Sequence, residues 1–278
     1  MKPSIFSLRT WVTCVAGGGI LTALLGGVST VGLTGAWVSI AAGALLSGLL
    51  GGGGLAICAI LDIGLNKMNH RIIAAEREVQ DLINLRPLLP EAVTPLDVGG
   101  WAATAELLKI LVQEIRKSQP SLILECGSGT STVLMATCLK RFGIDGRVIA
   151  LDHDPTYARQ TRDLLVQYGV SNYAEVVTAP LEPNDVNGQT ISWYTFNPEE
   201  HLHNPIDLMF VDGPPGGAQP MARYPAIPML KNYLSVDCTI VLDDGDRDDE
   251  RAAAHRWAQT LHAEAELKGT LRPCWVLR

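Results

Sequence analysis

From Trp11 to Leu61 the chain has no Lys, Arg, Asp, Glu or His. A membrane-crossing helix needs ~20 apolar residues, so a run of about 50 is too long for one crossing and suits two. The break STVGLTGAW divides the run into expected spans at Trp11–Leu33 and Trp37–Leu61. Lys2 and Arg9 precede the first span, and Lys67 and Arg71 follow the second. Under the positive-inside rule both ends of this hairpin then lie in the cytoplasm. Trp11 and Trp37 stand at span ends, where indoles favour the interface. Gly19, Ala23 and Gly27, and likewise Gly43, Ser47 and Gly51, recur every four residues. Such spacing lets two helices pack closely in lipid, or it only reflects the glycine content. A cleavable signal peptide is a rival reading of the basic start, although the second span would still anchor the chain.

Nearly all the charge lies after this run, which sets the expected organisation. Residues 1–64 form a membrane anchor of two transmembrane helices, residues 65–98 an amphipathic helix and Pro-rich linker, and residues 99–278 a globular domain. Leu65, Met68, Ile72, Ala75, Val79 and Leu82 alternate three and four residues apart, the spacing of a heptad seam. A homodimer through residues 65–82 is then expected, with Arg71 and Glu76 at flanking positions where they pair between chains. The alternative is a helix lying on its own domain or on membrane lipid. RPLLPEAVTP then stiffens the chain and ends the helix. A formal charge of −7 and a pI near 5.4 argue against a nucleic-acid partner, which calls for a clustered Lys/Arg excess. Cys14, Cys58, Cys126, Cys138, Cys238 and Cys274 show no CxxC pair, and read as thiols in a reducing compartment.

From Gly99 onward, helical and strand patterns alternate. GWAATAELLKILVQEIRKS is amphipathic, and SLILEC, RVIALD, AEVVTA, IDLMFVD and TIVLDD are short apolar runs ending in acidic or small residues. Helices are expected near Ser131–Phe142, Pro155–Tyr168, Met221–Tyr233 and Asp248–His262. The fold class is therefore α/β: a mostly parallel Rossmann-like sheet with helices on both faces, preceded by the transmembrane hairpin. Ligands of such sheets bind at the carboxyl ends of the strands.

The first strand enters the turn ECGSGTST. A P-loop needs GxxxxGK[ST], and no Lys follows these glycines. A dinucleotide fingerprint needs GxGxxG, and Thr132 stands at the third position, which weakens NAD without eliminating it. Glu125, at the mouth of the strand, repels a pyrophosphate and attracts a cationic amine.

Glu125-Cys126-Gly127-Ser128-Gly129-Thr130 resembles the E/DxGxG motif of class I S-adenosylmethionine (SAM)-dependent methyltransferases, in the style of the small-molecule O-methyltransferase branch. VIALDHDP, VVTAPL, DLMFVDGPPG and TIVLDDGDR follow in the family's order, and CWVLR is similar to its closing antiparallel strand. The resemblance implies SAM as cofactor and a site made of Glu125, Gly127, Ser128, Gly129, Thr130, Ser131, Asp152, His153, Ala179 and Asp212. Glu125 would engage the methionine ammonium directly or through water, or else cap a loop amide; Asp152 would hold the ribose hydroxyls, and Thr178 to Leu181 the adenine. His153 and Asp154 either join Asp152 or merely flank it.

For catalysis the resemblance implies Asp212 and Asp244, which in relatives of the catechol type would also bind Mg²⁺. Asp243 and Asp246 stand nearby, and Gly245 occupies the place of a further ligand. Against a metal, these acids accept hydrogen bonds from the Gly213–Gly217 region or Arg247. His201 and His203 are alternative bases or solvent-exposed loop residues. Trp193, Tyr194, Arg223 and Tyr224 are expected where insertions cover the cleft, with Arg223 pairing an anionic group of the acceptor; a core role for Trp193 is equally open. The expected function is methyl transfer to a hydroxyl of a small or lipid-linked acceptor at the cytoplasmic face of a membrane. Two rivals remain, a non-catalytic SAM-binding scaffold of a membrane complex and an NAD-dependent Rossmann oxidoreductase.

Overall fold

In a computed structural model, residues 61–66, 68–69, 72–88, 103–270 and 272–278 are described. The chain divides into two units, Met1–Ile73 and Ala74–Arg278. Residues 11–60, which hold nearly all of the two expected spans, lie outside the described residues, as does the Pro-rich segment 89–98. Among the described residues no helix is long and apolar enough to cross a membrane.

The second unit begins in a helical stretch, 74–85. Ala74, Asp81 and Leu85 are buried, while Ala75, Val79 and Leu82 of the expected seam are exposed. Polar groups on this stretch anchor the start of the globular domain. Glu78 Oε1 accepts from the Ala105 amide at 2.6 Å, at the start of helix α1 (Ala105–Ser118), and Asp81 pairs with Lys109 at 2.7 Å. A carboxylate at a helix N-terminus satisfies orphan amides and complements the helix dipole. Thr104 caps the same turn, accepting from the Leu107 amide at 3.2 Å.

The chain then alternates as its pattern requires. Strand β1 (Leu122–Cys126) leads into α2 (Thr130–Phe142), β2 (Arg147–Asp152) into α3 (Pro155–Gln167), and β3 (Ala174–Thr178) into a hairpin of β4 (Leu181–Val186) and β5 (Gln189–Tyr194). A short helix α4 (Pro198–His201) precedes β6 (Ile206–Val211). After it come α5 (Ala226–Leu230), β7 (Leu234–Leu242), α6 (Asp248–Leu261), β8 (Ala265–Lys268) and β9 (Cys274–Leu277). Seven strands pair in the order β3-β2-β1-β6-β7-β9-β8, all parallel except β9, which runs antiparallel to both neighbours. CWVLR is thus the antiparallel strand that its resemblance implied. The helix expected over Met221–Tyr233 is shorter: α5 covers five residues and a 3₁₀ turn, Lys231–Tyr233, completes it.

Alternation along β1 assigns its side chains to two cores. Ile123 packs with Leu107, Leu111, Val133 and Leu139 of α1 and α2, and Leu122, Leu124 and Cys126 pack with Ile227, Ala254 and Trp257 of α5 and α6. With both faces covered, only the strand ends are accessible. Strand order reverses between β1 and β6, and this switch point opens a crevice at their carboxyl ends.

Candidate active site

The crevice is closed on one side by the turn after β1. Gly127 has φ +115° and Gly129 φ +150°, backbone positions that a Cβ would strain. Gly127 donates to Leu151 O at 2.8 Å, and the Cys126 carbonyl accepts from the Asp212 and Gly213 amides at 2.9 and 2.7 Å. The ends of β1, β2 and β6 are thereby tied together around the turn. A Cβ on Gly129 would meet nothing within 4 Å, so open space lies in front of this backbone.

Glu125 shares the face of Ile123, by the period of two, and so lies under α2 rather than in the crevice. It is 1% exposed. Ser131 donates to its Oε1, and Thr132 donates to its Oε2 at 2.5 Å while accepting from the Gly129 amide at 3.0 Å. Both carboxyl oxygens are thus taken by α2 hydroxyls, and in this arrangement the carboxyl braces the turn. Burial pushes its pKa up to about 8, with Asp152 adding to the rise and the Ser131 and Thr132 hydroxyls opposing it.

Asp152 ends β2 and is buried. Its Oδ2 accepts from Ser128 at 2.5 Å and its Oδ1 from the Asp154 amide at 2.9 Å, leaving a lone pair on each oxygen. Ser128 also contacts Thr161 of α3 at 3.0 Å. His153 lies 3.7 Å from Asp152 and is partly exposed. Asp154 is a helix cap: it accepts from the Thr156 amide at 2.7 Å, ahead of Pro155 at the first helical position. Ala179 is buried and donates to Asp152 O at 2.7 Å. Thr130 opens α2 at the crevice edge.

Across the crevice, after β6, stands Asp212. Its Oδ1 accepts from Arg223 Nη2 at 3.1 Å, and its Oδ2 has no hydrogen-bond partner among the described residues. The side chain is 24% exposed, so one oxygen is held and the other open. Burial pushes Asp212 well above the carboxylate range, Arg223 opposes this, and Asp243, Asp244 and Glu125 add to it.

Arg223 itself is buried, which overturns its expected role with an anionic acceptor. Its Nη2 also donates to Asp244 Oδ2 at 2.9 Å, its Nη1 to Asp243 O at 3.0 Å, and its Nε lies 3.8 Å from Glu250. Asp244 further meets Arg247 at 3.0 Å and Arg272 at 3.0 Å, and Arg272 reaches Asp243 at 3.2 Å. Asp244 has φ +57°, an unfavourable backbone region for a residue with a Cβ, and three guanidinium groups hold it there.

Oxygens of Asp212, Asp243 and Asp244 come within 4.8 Å of one another, the grouping expected for Mg²⁺. The residues nevertheless do not fit that ion. Guanidinium groups already take oxygens of all three carboxylates, the charged ligands that would hold a hard cation among its waters. Within this trio Asp243 Oδ1 is the buried oxygen left without a partner. Gly245, where a further ligand was expected, is crowded instead by Leu267, Pro273 and Trp275, each 2.9 Å from a hypothetical Cβ.

The donor set suits SAM better: open space over a glycine backbone, a ribose-compatible carboxylate, and, among the described residues of the turn, no lysine for phosphates. The methyltransferase domain model matches residues 124–245, from within β1 to just past β7. Over these residues the chain resembles a methyltransferase domain. Solved structures similar to it include the O-methyltransferase TomG of Streptomyces achromogenes in complex with SAM, at 21% identity, TM-score 0.45, over 64% of this chain and 80% of that one. An O-methyltransferase from Bacillus cereus with SAH matches at 17% identity, TM-score 0.47, over 73% and 89%. A precorrin-6Y C5,15-methyltransferase from Geobacter metallireducens matches at 17%, TM-score 0.47, over 69% and 97%. No curated protein matches the chain significantly.

Of the remaining expected site residues, Trp193 is core, packed edge-on to Tyr194 at 5.0 Å. Tyr224 accepts from Asn187 at 3.0 Å. His201 is engaged by Glu175 at 3.0 Å and stacks on Phe196, and His203 is exposed, so neither faces Asp212. Arg272 and Glu250 of the acid cluster were not anticipated. Nothing local in the sequence marks them.

Glu125 should make binding of a cationic ligand in the crevice pH-dependent. Without ligand it takes up a proton as pH falls through about 8; a bound cation favours its ionised form, so binding near neutrality expels that proton. Affinity should rise with pH and level off above the unliganded pKa. Calorimetry in buffers of different ionisation enthalpy should show proton release for the wild type and none for Glu125→Gln. Equal proton counts for both would reject the linkage.

Proposed function

We propose that this chain transfers the methyl group of SAM to a hydroxyl of a small or lipid-linked acceptor, from a domain tethered at the cytoplasmic face of a membrane. The observation that carries the chemistry is Asp212, a carboxylate with one oxygen fixed by a buried arginine and the other open across the crevice from Asp152. When bound, SAM supplies a methyl carbon activated by a sulfonium leaving group. The chain has then to align two reactants and remove one proton, which is where positioned groups act.

Asp152 orients the donor by accepting its ribose hydroxyls, and the Gly127–Gly129 backbone lets the donor approach. Asp212 Oδ2 accepts the proton of the acceptor hydroxyl as the new C–O bond forms and the C–S bond breaks. A carboxyl whose pKa is raised by burial suits that proton transfer better than an ordinary one. The Arg223 pairs leave no place in this reading for Mg²⁺.

Tethering is supported by the uncharged run 11–61 and by the basic residues flanking it. A lipid-linked acceptor is the simplest reason for an anchor. Homodimerisation through residues 65–82 is supported by Leu65, Met68, Ile72, Val79 and Leu82, which are exposed at seam spacing.

Calorimetry of the full chain in detergent against SAM and NAD tests the cofactor, and labelled-methyl transfer onto fractionated lipids and soluble extract tests the acceptor. SAM binding and label in the lipid fraction are expected; NAD binding without SAM binding would sink the reading. In the same calorimeter, Asp152→Ala should weaken SAM binding by about 1–3 kcal/mol through loss of charged hydrogen bonds. Unchanged affinity would remove Asp152 from the donor site.

A further inference from the structure

Tyr194, the last residue of β5, is 3% exposed, yet its hydroxyl has no hydrogen-bond partner among the described residues. The hydroxyl oxygen is not among the buried atoms left without a partner, so it is the accessible end of an otherwise buried ring. The ring is clamped. β4 and β5 pair from Leu181↔Tyr194 to Val186↔Gln189 around a tight Asn187-Gly188 turn with φ +55° and +81°. Ser192 exchanges two hydrogen bonds with Gln219, at 3.0 and 2.7 Å, and the ring stands edge-on to Trp193.

This clamp delivers the phenol oxygen to the switch point. A Cβ on Gly213 would overlap that oxygen, and from the same place Cys126 O is 3.3 Å and Gly127 Cα 3.4 Å away. Gly213 is therefore the residue that leaves the hydroxyl room over the ends of β1 and β6. Burial first, then Cys126, Asp152 and Asp212, push the phenol well above its ordinary pKa, with Arg223 opposing. It stays neutral and is no base.

Its charged neighbours bracket one part of a bound donor. Asp152 holds the ribose and Asp212 faces the acceptor. In SAM the ribose is joined through one carbon to the sulfur that carries the methyl group. The sulfonium must therefore lie between these two carboxylates, where the Tyr194 oxygen is. We infer that Tyr194 is a specificity-determining residue of the donor site, its neutral oxygen set against the sulfonium so that the charged donor is held more tightly than the thioether product. The inference rests on the proposal that SAM is the donor. It adds that transfer of the methyl group removes the charge this oxygen recognises, which favours product release.

The test compares SAM and SAH binding to the full chain and to its Tyr194→Phe variant, by calorimetry in detergent. The variant loses one oxygen and no apolar contact, and the melting temperature without ligand should shift by less than ~2 °C. SAM affinity should fall about 10-fold, as the oxygen lone pair set against the sulfonium charge is lost, while SAH affinity stays within about 2-fold. An equal fall for both ligands would place the hydroxyl on a part they share, and no fall for either would place it outside the site; both results overturn the inference. A wild type that binds neither ligand would overturn the methyltransferase reading itself.

Discussion

Asp212→Asn should lower kcat for methyl transfer by about 10²–10⁴-fold, the usual contribution of a positioned proton acceptor. The change is nearly isosteric. The amide oxygen can still accept from Arg223 Nη2, which now lies 3.1 Å from Asp212 Oδ1, so the fold and donor site are retained and only the basic oxygen is lost. The wild-type profile carries a second signature. Burial raises the Asp212 pKa, and the group must be ionised to act, so kcat should rise with pH through that raised pKa and then level off. In the variant that limb should disappear. A kcat reduced less than 10-fold, with the limb intact, would assign the proton transfer to another group.

Arg223→Met should cost about 3–5 kcal/mol of stability, because removing one partner of a buried ion cluster leaves the others uncompensated. For a domain of this size that corresponds to a melting temperature lower by roughly 6–20 °C. Asp212, Asp244 and Glu250 all face this guanidinium, at 3.1, 2.9 and 3.8 Å. Arg272 and Arg247 still reach Asp244, but neither is within ion-pair distance of Asp212. The deserted carboxylates can take up protons, so the loss should be greater at alkaline than at acidic pH. Arg223→Lys should restore only part of the stability, since an ammonium cannot match the fork that serves several acceptors at once. A melting temperature unchanged in Arg223→Met would mean that the cluster holds nothing together.

Asp212 faces the crevice, whereas Arg223 is buried and its cation occupies the ground among the acids. This division of roles replaces the expected Mg²⁺ site, in which Asp212 and Asp244 were to act as a ligand pair.

Much of the fold was legible because its signals are local. Apolar runs of five or six residues ending in acid or small residues mark the parallel strands, and Asp154-Pro155 announces the start of α3 as a cap followed by a first-position proline. The β4–β5 hairpin was missed although it carries a readable sign: Asn187-Gly188 is the dipeptide that a two-residue turn with positive φ at both positions favours. Its strands escaped notice because Pro183 and three acidic or amide side chains make LEPNDV a poor strand by propensity. Strand β8, AELK, is short and at the sheet edge, where little hydrophobic pattern is required.

By itself, the sequence determined the order of strands and helices, the glycine turn, and the acids at the ends of β1, β2 and β6, since each depends on residues within one turn or one strand. Tertiary structure decided which of those acids is open. Glu125 went under α2 by the alternation of β1, and Asp212 kept one free oxygen because Arg223 took the other. Arg272, far along the chain, joined the same cluster. Charge pairs of this kind depend on how distant segments wrap around the sheet, and residue spacing along the chain carries no record of it. The phenol of Tyr194 reached the switch point for the same reason, carried there by a hairpin whose place is set by packing and not by its own sequence.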